Sequence, residues 1–143
     1  MRAVVTRVSE ASVTVEGRVV GEIGTGLLAL VGAGRDDDLD RARALARKVH
    51  ELRVFPTGDG ARSVGDLDLP VLVVSQFTLY ADTRKGRRPS WSEAAPGEVA
   101  EPLVDEVVAE LRRRGTTVGT GVFGARMQVA SVNEGPMTLQ LEV

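Results

Sequence analysis

The stretch SVNEGPMTLQ, residues 131–140, has the composition of a β-strand, but Gly135-Pro136 interrupts it. The residues on either side, 127–132 and 137–143, are rich in types that strands favour. Glycine weakens a strand and proline cannot donate to a β-ladder, so the pair predicts an edge strand or a bulge. An open strand edge is a liability unless something covers it. We therefore expect a second subunit on this edge, in a homodimer.

Along the rest of the chain, hydrophobic periodicity predicts a mixture of strands and helices. The predicted strands are 3–15, 19–23, 26–31, 53–55, 70–75, 118–123, 127–132 and 137–143. Helices are predicted at 39–52, with Leu39, Ala42, Ala46 and Val49 on the buried face, and at 97–114. The fold class that follows is α+β: one domain over residues 1–143, with a curled, barrel-like, mostly antiparallel sheet and two packed helices.

Three consecutive aspartates, Asp36, Asp37 and Asp38, precede the first predicted helix. A helix N-terminus favours negative charge, so they suit its first turn. The alternative is a metal site, although contiguous aspartates point in different directions.

Composition restricts the available chemistry. The chain has 143 residues and no cysteine, which excludes disulfides and thiolate metal sites. Its one histidine, His50, is expected to be structural, and we expect no metal and no cofactor. The apolar runs are too short to span a membrane, and no signal-peptide pattern is present. We expect a cytoplasmic protein with no membrane partner.

The polar residues that follow the apolar run 70–74 are the best candidates for chemistry. Ser75, Gln76 and Thr78 stand at the end of this buried strand, where they suit either ligand contacts or closure of a strand edge. Thr78 is a possible nucleophile, but no base accompanies it. Main-chain N–H groups of the same turn are an alternative way to stabilise an oxyanion.

The segment DTRKGRRPS, residues 82–90, concentrates positive charge in a Gly- and Pro-containing loop. Its cations are Arg84, Lys85, Arg87 and Arg88. Such a loop can bind phosphates by displacing counterions, or it can be an ordinary solvated loop. The net charge of −2 gives no general attraction to nucleic acid, and composition favours neither reading.

Two motifs, SQFTL at 75–79 and NEGPMT at 133–138, resemble those of the D-aminoacyl-tRNA deacylase family. GEIGTGLLALVG at 21–32 and FGARMQV at 123–129 extend the similarity over essentially the whole chain. Glu134 and Met137 depart from the Asp and the small β-branched residue that are common there in the family. The resemblance implies hydrolysis of the ester between a D-amino acid and the terminal adenosine of tRNA, with mischarged glycyl-tRNA as a further substrate.

The resemblance also implies individual roles. Gln76, Phe77 and Thr78 form the catalytic turn, where main-chain N–H groups hold the oxyanion while the tRNA 2′-hydroxyl and a water take part in the reaction. A cis Gly135-Pro136 peptide enters the pocket of the dimer partner, binds the substrate amino group and excludes L side chains. The other implied substrate-binding residues are Ser75, Asn133, Thr138, Phe123 and Met127, of which the last two alternatively belong to the core. Arg84, Lys85, Arg87 and Arg88 are implied to contact tRNA phosphates.

Two other functions remain open. One is a catalytically silent RNA- or DNA-binding module of the same fold. The other is a related deacylase that removes an L-amino acid, a subtype marked by a different first motif and a trans Gly-Pro; Ser75-Gln76 argues against it.

Overall fold

A computed structural model describes residues 1–84 and 86–143 of the chain. The strands are β1 Arg2–Val15, β2 Arg18–Ile23, β3 Gly26–Gly32, β4 Phe55–Thr57, β5 Gly60–Arg62, β6 Val71–Ser75, β7 Val118–Thr120 and β8 Met127–Glu142. The helices are α1 Leu39–Glu51, α2 Val64–Leu67 and α3 Gly97–Arg113, with a 3₁₀ helix at Phe77–Tyr80. The short helices were not predicted, β7 is shorter than predicted, and β4 begins at Phe55, the last residue of the strand expected at 53–55.

The main sheet has the strand order β2-β1-β3-β6-β7, and β8 lies along the other side of β1. β1 is antiparallel to β2, β3 and β8, whereas β3–β6 and β6–β7 are parallel pairs. The sheet curls until its two ends meet: a Cβ added to Gly21 of β2 would lie 2.3 Å from the Thr120 carbonyl oxygen of β7. Only glycine permits this close approach. The expected α+β class and barrel-like curl are therefore confirmed.

Helices α1 and α3 contribute apolar faces to the larger of two core clusters. The buried residues of α1 are Ala42, Leu45, Ala46 and Val49, and those of α3 are Ala100, Leu103, Val104, Val107, Val108 and Leu111. Leu39, predicted to be buried, is 45% exposed. It begins the first turn of α1, where residues 39–41 are all exposed, so this turn extends past the core. No helix within residues 1–84 and 86–143 is long and apolar enough to cross a membrane.

Strand β8 runs through Gly135-Pro136, so the prediction of two separate strands at 127–132 and 137–143 is wrong. Its ladder with β1 passes from the pair Thr6–Thr138 to the pair Val8–Asn133, and residues 134–137 therefore oppose the single residue Arg7. Pro136 lies in this bulge, where no ladder donor is required. Among the described residues, β8 pairs only with β1. The predicted edge strand and bulge are both confirmed, and the Gly135-Pro136 peptide is cis.

Candidate active site

A cleft of about 470 Å³ opens where the parallel strands β3 and β6 end. Val31 and Ser75, which pair across these strands, both line it. The predicted residues that meet in this cleft are Ser75, Gln76, Phe77, Phe123 and Met127. The remaining wall is mainly apolar: Val31, Ala33, Val74, Ala95, Gly97, Ala100, Val104, Gly124, Ala125 and Val129. An apolar cleft with a few polar groups at one end is the usual form of a small-ligand site.

The turn after β6 is held by hydrogen bonds that leave two main-chain donors available. The Gln76 N–H donates to the Val31 carbonyl at 2.7 Å, and the Leu79 N–H donates to the Gln76 carbonyl at 3.2 Å. Within the described chain, the N–H groups of Phe77 and Thr78 have no hydrogen-bond acceptor, as expected for the first N–H groups of a helix. Paired donors beside a cleft are the elements of an oxyanion hole.

Among residues 1–84 and 86–143, no base contacts the side chain of Thr78. The Gln76 side-chain amide donates to Thr78 Oγ1, and an amide cannot accept the proton that a nucleophilic hydroxyl must lose. Thr78 is not among the residues that line the cleft, and this applies to its N–H group as well as to its hydroxyl. The hydrogen bond from Gln76 therefore argues against a nucleophilic Thr78, while its N–H group lies next to the lining residue Phe77.

The sequence left Phe123 and Met127 as either substrate-binding residues or core residues, and their positions in the structure suit both roles. Each lines the cleft. Phe123 also packs against the larger core cluster between the helices and the sheet, and Met127 packs against the smaller cluster inside the curl. A substrate in this cleft would contact side chains that the core holds in place.

The second motif does not join this cleft within one chain. Asn133, Gly135, Pro136 and Thr138 lie on the β8 bulge and are not among the walls of the cleft. Thr138 Oγ1 donates to Thr6 Oγ1 at 3.3 Å, across the ladder.

Side-chain hydrogen bonds brace the bulge itself. Asn133 Nδ2 donates to the carbonyl of Arg7 at 3.0 Å and to that of Met137 at 3.3 Å, closing the bulge across its base. Arg7 Nε donates to the Glu134 carbonyl at 2.9 Å. Arg7 was not predicted, because its role depends on strand register and no local motif marks it.

The two ends of the basic loop pair with each other as in a hairpin. Asp82 and Ser90 exchange backbone hydrogen bonds of 2.8 and 3.0 Å. Arg84 Nε and Nη2 donate to the two carboxylate oxygens of Asp82 at 2.9 and 2.8 Å, and these bonds lower the pKa of Asp82 to about 2. Part of the predicted phosphate-binding charge is thus already paired. Arg87 and Arg88 are exposed, while Lys85 lies outside the described residues.

Asp37 binds Tyr80, at the far end of the turn after β6, and does not cap α1; Asp38 alone does so, by accepting from the Arg41 N–H. The Asp37 carboxylate, 3% exposed, accepts from the Met1 ammonium and the Gly34 N–H at 2.6 Å each and from the Tyr80 hydroxyl at 2.9 Å. Burial raises the pKa of Asp37, but these donors outweigh it and hold the pKa below its ordinary value. Burial, and then Asp37 itself, raise the pKa of Tyr80 far above its ordinary value.

The aspartate triplet is not part of a metal centre. Throughout residues 1–84 and 86–143, no group of three His, Cys, Asp or Glu side chains is arranged to hold a metal ion. The single histidine, His50, pairs through Nδ1 with Thr116 Oγ1 at 2.8 Å, away from the cleft.

An α+β chain with this cleft and these main-chain donors falls in the class of ester hydrolases that act on aminoacyl-tRNA, as comparison with known proteins shows. A family model described as D-Tyr-tRNA(Tyr) deacylase matches residues 4–142, and the chain belongs to this family. D-aminoacyl-tRNA deacylases of Thermobifida fusca (strain YX) and Streptomyces coelicolor (strain ATCC BAA-471 / A3(2) / M145) are 62% and 58% identical to it, over the full length of each protein. The prediction from the two motifs, an enzyme that hydrolyses D-aminoacyl-tRNA, is confirmed.

Solved structures give the same fold. The c-Myc DNA Unwinding Element Binding Protein superposes with a TM-score of 0.93 at 40% identity, covering 100% of this chain and 99% of that one. A probable eukaryotic D-amino acid tRNA deacylase superposes with a TM-score of 0.85 at 17% identity, covering 99% and 98% of the two chains, and supports the fold alone.

Proposed function

We propose that this deacylase acts as a homodimer in which each cleft receives the Gly135-Pro136 bulge of the partner subunit. One observation supports the proposal: Ser75, Gln76 and Phe77 of the first motif line the cleft, whereas no residue of the second motif does, and that motif lies on a strand edge. A two-fold interface is self-complementary, so one contact would complete both sites. The bulge would then form the wall that excludes L side chains, while a D side chain or the hydrogen of glycine avoids it.

In the proposed reaction, water adds to the ester carbonyl, the bond to the ribose oxygen breaks, and the D-amino acid and tRNA separate. The N–H groups of Phe77 and Thr78 stabilise the negative charge on the carbonyl oxygen. The tRNA 2′-hydroxyl assists the water, Ser75 and Gln76 orient the ester, and Phe123 and Met127 contact the terminal adenosine. Asn133 and Thr138 hold the bulge. This scheme requires no protein nucleophile, which agrees with the lack of a base beside Thr78 in the part of the chain that the structure describes.

The tRNA substrate also bears on the cellular location of the protein and on the function of its basic loop. We propose that residues 1–143 form one deacylase domain that acts in the cytoplasm, where tRNA is charged. The exposed Arg87 and Arg88, with Arg84 and Lys85 of the same loop, would contact backbone phosphates of the acceptor stem.

Stereoselectivity is tested with D- and L-tyrosyl-tRNA under single-turnover conditions. We expect release of D-tyrosine and sparing of the L form, with or without a chelator. Equal rates on the two enantiomers would contradict the proposed wall.

Complementation between two impaired variants tests whether the wall acts in trans. Ala125→Trp fills the cleft, and Gly135→Ala disturbs the bulge. After subunit exchange in an equimolar mixture, half of the dimers contain one subunit of each variant. In such a dimer, the cleft of the Gly135→Ala subunit meets the bulge of the Ala125→Trp subunit, so one of the two sites is intact. Activity should therefore return to about one quarter of the wild-type value. If the mixture stays as inactive as its parents although exchange has occurred, the bulge does not act across the interface.

A second candidate function is nucleic-acid binding without hydrolysis. It is favoured by the 40% identity to the protein named for binding a DNA unwinding element. Retention of charged tRNA or single-stranded DNA without release of any amino acid would support this function in place of deacylation.

A further inference from the structure

We propose that Trp91 and Phe77 form a stacking platform for the unpaired nucleotide that precedes the terminal adenosine of the tRNA. Their ring centroids are 5.8 Å apart, with the planes inclined at 59°. Both rings are exposed, Phe77 at 56% and Trp91 at 42%, although aromatic side chains are usually much more buried. The proposal rests on the proposed function, which places the aminoacylated adenosine in the cleft.

The backbone fixes Trp91 at the rim of this cleft. The Asp82–Ser90 pairing closes the basic hairpin immediately before Trp91, and the Ala94 N–H donates to the Trp91 carbonyl at 3.1 Å. The next residue, Ala95, donates its N–H to the Ala33 carbonyl at 3.0 Å, and both alanines line the cleft. Phe77 is itself a wall of the cleft and half of the aromatic pair. The pair therefore continues the cleft outward.

Charge and shape together indicate an unpaired nucleotide as the occupant. A base of any identity has a π-face that stacks on an aromatic side chain, whereas its phosphate needs a nearby cation. Arg87 and Arg88 are exposed in the hairpin that leads directly into Trp91. The 3′ end of every tRNA is single-stranded next to the adenosine, so stacking there would strengthen binding without restricting which tRNA is accepted.

The test compares two substrates, D-tyrosyl-tRNA and the minimal ester D-tyrosyl-adenosine, which lacks the preceding nucleotide. Trp91→Ala should lower the ratio of kcat/KM for tRNA to kcat/KM for the minimal ester by about tenfold, mainly through KM, because one stacked base is lost. Trp91→Phe should restore most of the ratio. The matched control is Leu67→Ala: Leu67 is similarly exposed, at 39%, and precedes the opposite end of β6.

The outcomes separate this inference from the proposed function. A fall of equal size on both substrates would mean that Trp91 only positions Phe77, and an unchanged ratio would mean that nothing stacks there; either result overturns the platform. If the wild type hydrolyses neither ester, the proposed function fails instead.

A binding measurement tests the platform without catalysis. Trp91 is the only tryptophan in the chain, so its fluorescence reports on this position alone. An uncharged RNA oligonucleotide ending in CCA should quench it at concentrations at least about tenfold lower than adenosine monophosphate requires, because only the oligonucleotide links a stacked base to the adenosine in the cleft. Equal concentration dependence for the two ligands, or no quenching by the oligonucleotide, would contradict the platform.

Discussion

Replacing Asp37 by asparagine should destabilise the protein strongly, and the loss should depend on pH. The carboxylate is 3% exposed and accepts from the Met1 ammonium, the Gly34 N–H and the Tyr80 hydroxyl; Arg41 Nη1 also lies 3.2 Å away. An asparagine keeps one acceptor oxygen but turns an NH₂ group toward these donors. The ammonium would then lose its counter-charge.

Removing one partner of a buried ion pair costs about 3–5 kcal/mol. For Asp37→Asn we use a cost of about 3 kcal/mol, the lower end of this range, because the asparagine oxygen can still accept a hydrogen bond. An unfolding entropy of about 2.1 cal/mol/K per residue gives about 0.3 kcal/mol/K for a chain of 143 residues, so a loss of about 3 kcal/mol lowers Tm by about 10 °C. The matched control is Asp40→Asn, three residues along in the first turn of α1, where the side chain is 89% exposed and little change is expected.

The sign of the pH effect follows from the lowered pKa of Asp37 in the folded protein. A carboxyl group with a lowered folded pKa contributes stability above its ordinary value of 3.8, and this contribution is lost as the pH falls through the folded pKa. The Tm difference between the wild type and Asp37→Asn should thus be complete at pH 6 and shrink below pH 3.8. Thermal unfolding followed by circular dichroism at matched protein concentration measures it. A difference that stays constant to the lowest pH at which both proteins fold, or an Asp37→Asn variant as stable as Asp40→Asn, would refute the reasoning.

Two further predictions concern the two motifs. Thr78→Ala keeps the main-chain N–H and should retain single-turnover activity within about tenfold, whereas loss of a nucleophile would cost several orders of magnitude; a collapse of that size with the fold intact would restore covalent catalysis. Gly135→Ala would place a Cβ 2.4 Å from the Met137 nitrogen, so the bulge must shift. We expect both activity and D-over-L selectivity to fall while the circular dichroism spectrum is kept, and a variant with unchanged activity and selectivity would count against a role for the bulge.

The parts of the fold that could be predicted from sequence are those encoded locally. Helix α1 follows from the spacing of its small and apolar residues, and the first hairpin follows from the turn at Glu16-Gly17. The β8 bulge was predictable because proline restricts the ladder wherever it stands. Helix α2 was missed although a local signal exists: Ser63 and Asp66 form a capping box.

The remaining features depend on contacts between distant parts of the chain. Asp37 resembled a helix cap because of its neighbours in sequence, but its partners Met1 and Tyr80 lie 36 and 43 positions away. Trp91 carries no motif; its only local signal is an aromatic residue next to a basic loop. Of the predicted site, the turn after β6 could be identified from motif and composition, whereas its separation from the bulge required the sheet topology.

The pairing of β1 with β8 has a consequence for how the protein is made. Arg2 at the start of β1 pairs with Glu142 at the end of β8, so this ladder joins residues from opposite ends of the chain. A ribosome adds about 5–20 residues per second, so after β2 and β3 have been made β1 waits on the order of ten seconds for β8. Contacts between residues so far apart in sequence form slowly, and an unpaired edge invites aggregation in the meantime. The bulge that carries the second motif lies in β8, so no nascent chain that ends before β8 can complete either the sheet or the second motif.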